Sequence, residues 1–329
     1  MLRSGQLKAI RDPPMPPKQI GRILAAVKDP AALDSVPIAK AAELARALSA
    51  QLVLFHAIDI PICADAYAGS DRPLGDDRDS IQQAYWEQLE LQAKPLRAGG
   101  LEVSTAAEWD FPAYEAVLRY AVHSDVDLIV AEHRHRLHPA LWASQPTDWE
   151  LLRQSPMPLL LVKSAAGYRP GAVLAAVDPL HRHAKPADLD EQICGVAQLL
   201  SGSLGGPWEV LHASASGTDL LAAGQQTVRA AMEHLLQPLA PQPRAVRIVE
   251  GHPAEAIVRT ATELASPVVV MGAISRSGLT RLALGNTAER VIDQLACDVL
   301  VVKPRDFGMR FPQAVRGMNL YTVPVSFPV

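Results

Sequence analysis

Aromatic side chains are scarce, at 5% of 329 residues, and cysteine is scarcer: Cys63, Cys194 and Cys297 each stand alone. Without a C-x-x-C pair there is neither a zinc-ligand spacing nor a disulfide framework, and a reducing cytoplasm is the compartment that fits. Long apolar runs are also missing. No stretch approaches the ~18 residues needed to cross a bilayer, and the opening MLRSGQLKAIRDPPMPPKQIG lacks the apolar core of a signal peptide. Neither sign of charge dominates: 31 Lys and Arg against 35 Asp and Glu leave a formal net charge of −4. No field therefore draws the chain to nucleic acid or to an anionic membrane. The G-x-x-x-x-G-K-[ST] phosphate loop is absent, and no Ser/His/Asp or Cys/His arrangement has a nucleophile elbow behind it.

What is present is a repeat. Residues 127–163 align without a gap on 267–303 at an offset of 140, placing Ala131 on Met271, Thr147 on Thr287 and Lys163 on Lys303. The starts match at an offset of 150, Ile23–Val27 on Val173–Val177, and Val53–Ala57 resembles Glu209–Ala213. Three segments recurring in one order indicate two copies of one domain, as the length prior of ~150 residues per domain also allows. We place the first copy at 20–165 and the second at 171–304, joined through the short stretch 164–171. A Pro-rich tail (1–19) and a C-terminal tail (305–329) lie outside them. So short a link keeps the copies adjacent, as an internal pseudo-dimer, with further homo-oligomerisation open.

Within each copy, apolar runs such as ILAAV, LVLFHA, DLIVAE and PLLLVK alternate with helical patterns. Continuous apolar runs mark strands buried on both faces. Ile38, Ala41, Ala45 and Leu48 share a helical face, as do Ala288, Val291, Ile292 and Leu295. The predicted fold is α/β: two tandem, doubly wound, parallel-sheet domains. Asp59–Asp79 is polar and turn-rich and reads as a long loop with at most a short helix.

Ligands of such sheets sit at the carboxyl ends of the strands, near the switch in strand order. In the second copy that edge carries Val177 and Asp178 after one strand. After another it carries Gly272-Ala-Ile-Ser275-Arg276-Ser-Gly278-Leu-Thr-Arg281-Leu-Ala-Leu-Gly285-Asn286-Thr287. Glycines admit a close backbone approach, Asn286 and Thr287 can cap the following helix, whose amides and dipole attract an anion, and Arg276 and Arg281 add positive charge. The same loop also works as a plain strand-to-helix turn, and Asp178 as a helix cap.

The run from this loop through L-G-N-T-A-E-R-V-I to C-D-V-L-V-V-K-P resembles the C-terminal half of a universal stress protein domain. ATP-binding members carry G-x-x-G, nine residues, then G-[ST]. Here Gly272 and Gly285 match the first and third glycines, Ser275 stands for the second, and Asn286 replaces the hydroxyl residue. Asp178 matches the aspartate that contacts the base side of the nucleotide. In the first copy the aligned positions are Glu132, His135, Gln145 and Pro146, which argues against nucleotide there in the family manner. P-T-D-W-E-L-L-R (146–153), G-N-T-A-E and the tandem layout resemble the E-type tandem members, over roughly residues 20–304. The resemblance implies the nucleotide alpha hydrolase type of fold and a cytoplasmic stress-response protein. Its second copy would bind a small phosphorylated ligand, such as ATP, another nucleotide or an acyl-bearing analogue, with Mg²⁺ only alongside a nucleotide. The rivals are a ligand-free interaction scaffold and a slow ATPase, for which Asp178 alone offers a metal carboxylate.

Other polar groups read as structural. His56 and His212 end equivalent strands and suit a shared hydrogen bond. Asp125 and Asp127 precede a strand, as turn residues. Cys297 suits packing. His133, His135 and His138, interleaved with arginines, suit a solvated loop or an anion contact better than a metal, and His181 and His183 suit a surface loop.

Overall fold

Strands whose residues are apolar without alternation need cover on both faces, and the chain supplies it with helices on either side of one sheet. The computed structural model describes residues 19–32, 34–59, 74–110, 112–133, 147–180, 188–214, 222–273, 285–305 and 307. The first copy runs β1 (Arg22–Ala26), α1 (Val36–Leu48), β2 (Gln51–Ile58), α2 (Leu74–Ala98), β3 (Val103–Trp109), α3 (Ala113–His123), β4 (Leu128–Glu132), α4 (Thr147–Gln154) and β5 (Leu159–Val162). The second runs β6 (Val173–Ala176), α5 (Asp188–Ser203), β7 (Trp208–Ser214), α6 (Ala222–Leu236), β8 (Ala245–Glu250), α7 (Pro253–Glu263), β9 (Val268–Gly272), α8 (Asn286–Gln294) and β10 (Asp298–Val302).

Strand order in the single sheet is β3-β2-β1-β4-β5-β10-β9-β6-β7-β8. All neighbours are parallel except β5 and β10, which pair antiparallel with Leu160 opposite Leu300. Those two leucines are equivalent by the 140-residue offset, so a pseudo-twofold axis passes between them and the copies form an internal dimer. Alternate strand residues feed two cores. Ile23 and Ala25 face the layer of α1, α2, α5 and α6, while Leu24 and Ala26 face that of α3, α4, α7 and α8.

The region read as a loop up to Asp79 is partly helix, since α2 already begins at Leu74. Its 25 residues bury Leu89 and Ala93 against the sheet. Packing overrides the weak local signal of a polar first turn.

The repeat breaks its symmetry at the seam. Asp298, at the head of β10, has Pro158 as its counterpart, and its carboxylate is almost wholly buried. It accepts from the backbone N–H of Lys163 (2.9 Å) and Ser164 (3.2 Å) and from the Tyr168 hydroxyl (2.9 Å). The buried Lys40 ammonium of α1 lies 3.1 Å away and 3.7 Å over the Tyr168 ring. Strand pairing sets the halves in register, and this cluster fastens the linker and α1 of the first copy to β10 of the second.

Candidate functional site

Each copy's strand order switches beside its first strand, where β1 parts β2 from β4 and β6 parts β7 from β9. The carboxyl edge at that point is the expected ligand platform.

In the second copy, Val177 uses both backbone groups internally. Its N–H donates to Leu211 O (3.0 Å), its C=O accepts from His212 Nδ1 (3.2 Å), and its side chain is buried. It positions Asp178 rather than offering groups of its own. The Asp178 N–H donates to the Asp190 carboxylate of α5 (3.2 Å). Its own Oδ2 is buried with no hydrogen-bond partner among the described residues, a state that costs free energy until a donor arrives. Opposite, β9 ends at Gly272, and the next carbonyl, Ala273 O, accepts from Lys303 Nζ (2.9 Å). Lys303 is 5% exposed, and burial pulls its ammonium down to about 7. Helix α8 has Gly285 as its N-cap, so Asn286 and Thr287 lie inside the first turn and do not cap it as the sequence suggested; the N-cap residue supplies no side-chain bond, and the helix dipole points its positive end at this edge. Ser275, Arg276, Gly278 and Arg281 lie outside the described residues.

Gly272 has a packing reason of its own. A Cβ there would stand 2.7 Å from Leu189 Cδ2 and 3.4 Å from Ile193 Cδ1, both on α5. Gly272→Ala is therefore expected to destabilise the fold by about 1–3 kcal/mol through overpacking, read by urea unfolding. If the glycine served only to let a ligand approach, unfolding would not change.

The first copy's edge holds an open cleft of about 240 Å³ between β1, β2, β4, α3 and α4, lined by Lys28, His56, Asp59 and Asp148 among apolar residues. His56 Nδ1 bonds Val27 O at 2.9 Å, and His212 repeats the arrangement on Val177. The shared role read from the sequence is thus a strand-end hydrogen bond. Burial pulls the His56 imidazole below its ordinary value despite the Val27 bond. Asp148, on the first turn of α4, is wholly buried and bonds His133 Nδ1 at 2.9 Å. Burial raises its carboxyl, but the His133 bond together with the Lys28 charge outweighs that and holds it below the usual range.

His133 corrects the solvated-loop reading: it is 8% exposed, at the end of β4, edge-on to Trp149. The signal lay in its partner Asp148, fifteen positions on, too far for pattern reading. Asp125 sits in the turn with φ 49°, whereas Asp127 reaches beyond it and ties down the start of β1, its Oδ2 accepting from Gly21 N (2.9 Å) and Arg22 N (3.1 Å). Cys297 packs on the core, its thiol raised to about 11 by burial and the Asp298 charge. His135, His138, His181 and His183 fall outside the described residues. Among the described residues, no three His, Cys, Asp or Glu side chains gather as a metal site, and no helix is long and apolar enough to cross a membrane.

Two half-sheets of order 3-2-1-4-5, joined edge to edge through β5 and β10, with a polar cleft at the switch point of the first, define a tandem α/β protein of the kind built around small-ligand platforms. The family model described as "Universal stress protein family" matches residues 19–163 and 196–303. Universal stress protein E of Salmonella typhi is 28% identical over 303 residues, covering 85% of this chain and 94% of that protein. Universal stress protein E of Escherichia coli K12 is likewise 28% identical, over 85% and 93%. A functionally unknown protein from Pseudomonas aeruginosa PAO1 superposes with a TM-score of 0.65 at 27% identity, covering 88% of this chain and 94% of its own. A universal stress protein from Archaeoglobus fulgidus shares the fold at 0.63 and 17% identity, over 88% and 100%. The chain belongs to the universal stress protein family, as a tandem, E-type member.

Proposed function

We propose that this chain is a cytoplasmic stress-response protein whose second copy binds a small phosphorylated ligand, a nucleotide or an acyl-bearing nucleotide-like molecule. The observation that carries the reading is the Asp178 carboxylate oxygen, buried without a donor among the described residues, on the same carboxyl edge as the start of α8, whose N-cap is the glycine Gly285. The first asks for a ligand N–H or O–H, and the second for an anion. In this reading Val177 fixes Asp178, Gly272 and Gly285 shape the turn, and Ser275, Arg276, Gly278, Arg281, Asn286 and Thr287 face the phosphates. Mg²⁺ enters only with the nucleotide. Turnover is not required.

Titration calorimetry with AMP, ADP and ATP, with and without Mg²⁺, tests it. Asp178→Ala is expected to weaken binding about tenfold or more. Undetectable heat with all three, or an unchanged affinity in the variant, would overturn it. One observation favours a ligand-free scaffold instead: Leu189 fills the space beside Gly272, so that glycine has a purpose without any ligand. A native mass spectrum of the purified full chain separates the two, since a scaffold carries no retained small molecule.

A further inference from the structure

The polar groups of the two platforms are not simply lost from the first copy; they are exchanged. Lys28 stands at the position equivalent to Asp178, which removes the carboxylate from the strand end. Asp148 stands at the position equivalent to Ala288, which places a carboxylate on the helix across the recess, and His133, equivalent to Ala273, holds it. Each copy thus keeps a carboxylate of this kind at its switch point, on the strand end in one and on the helix in the other, with Asp59 also lining the first-copy cleft. In both, one oxygen of that carboxylate is buried without a hydrogen-bond partner among the described residues: Oδ2 in Asp178 and Oδ1 in Asp148.

Asp148 lines an open cleft. The side chain is fully buried, its Oδ2 is taken by His133, and it lines the 240 Å³ space. An apolar cavity of ~150 Å³ accommodates a benzene, so this one has room for a ring with a substituent. Phe55, Val117 and Leu151 give it apolar walls. An ionised carboxylate offers only acceptors, and one left unpaired in such walls selects for a donor.

We propose that the first-copy cleft is a second ligand site, taking a small molecule with an apolar, ring-sized body and a hydrogen-bond donor, cationic or hydroxyl, that Asp148 Oδ1 accepts. His133 is a positioning residue that fixes the carboxylate. The exposed Lys28 at the rim leaves room for an anionic far end of the ligand without supplying the selectivity within.

Four single-ring probes test this on the full chain: benzamidine, benzyl alcohol, benzoate and toluene, each titrated by ligand-observed NMR. Benzamidine is expected to bind most tightly, benzyl alcohol next, and benzoate about tenfold or more weaker than benzamidine, the size of a charge-assisted hydrogen bond. Asp148→Asn is expected to erase the preference of benzamidine over benzoate. Ala113→Leu, at the partly exposed start of α3 beside the cleft, guards against a variant that merely loosens α4. It is expected to weaken all four probes while the circular dichroism spectrum and melting temperature hold. Asp178→Ala is expected to leave benzamidine binding intact, so failure here and failure of the second-copy nucleotide site are read separately. Equal binding of benzamidine and benzoate, an unaltered preference in Asp148→Asn, loss of benzamidine in Asp178→Ala, or no binding of any probe would each overturn the proposal.

Discussion

Asp298→Ala is expected to lower the stability of the whole chain by about 3–5 kcal/mol, the cost of leaving a buried charge without its partner. Lys40, 4% exposed, would keep its ammonium buried beside the start of β10, against the Tyr168 ring but without its counter-ion. Two backbone amides and the Tyr168 hydroxyl would also lose their acceptor. The effect should reach across the seam, because the donors come from the first copy and the linker while the acceptor belongs to β10. Urea denaturation followed by circular dichroism gives the size. A tryptophan signal from Trp149 in the first copy and Trp208 in the second shows whether the halves still unfold together. The double variant Lys40→Met, Asp298→Ala is expected to recover part of the loss, since an apolar replacement removes the stranded charge. A single-variant cost below about 1 kcal/mol, the range of exposed pairs, would mean that the cluster does not fasten the halves.

Much of this architecture was legible beforehand, for a definite reason. Strands at the middle of a parallel sheet must be apolar on both faces, so β1, β2, β4, β5 and their counterparts wrote themselves as unbroken aliphatic runs. Edge strands carry no such obligation. β3 (VSTAAEW) and β8 (AVRIVE) are covered unevenly, with Val246 at 44% exposure, and their sequences do not stand out. The strand end at Gly272 and the start of α8 after Gly285 were also legible, because glycines at a strand-to-helix connection leave a spacing signature. The first-copy cleft was not. Its walls come from five elements, and its carboxylate departs from the family's place, so alignment to the second copy found only a damaged loop. The Lys40–Asp298 pair was invisible too, because nothing local links residues on α1 and β10. Even the equivalence of Lys163 and Lys303 misleads. Lys163 reaches across the seam to the carbonyls of Ile292 and Leu295, while Lys303 turns inward to Ala273.

Lys303→Met is expected to make the protein more stable at neutral pH, by a few kcal/mol at most. Burial holds the folded-state ammonium at about 7, against an ordinary value of 10.5. Between those values the unfolded chain binds a proton that the folded chain does not, so wild-type stability rises as pH climbs from about 7 toward 10.5. Below 7 both states carry the proton and the cost of the buried cation is felt in full, softened by the Ala273 carbonyl and the Phe307 ring 4.9 Å away. Methionine removes that cost along with one hydrogen bond worth about 1 kcal/mol. Urea unfolding at pH 7 and at pH 9.5 reads both parts of the prediction: a gain for the variant at pH 7, and a flattened rise with pH. An identical pH slope in the two proteins would show that Lys303 is not the group responsible. A stabilising replacement at a natural lysine raises the question of what the lysine supplies in return, and its place answers it. Lys303 binds the Ala273 carbonyl just past β9, on the edge where the second copy is proposed to hold an anion. The same variant that gains stability is therefore expected to lose affinity for nucleotide. Calorimetry on the stabilised protein checks this without confusion from partial unfolding.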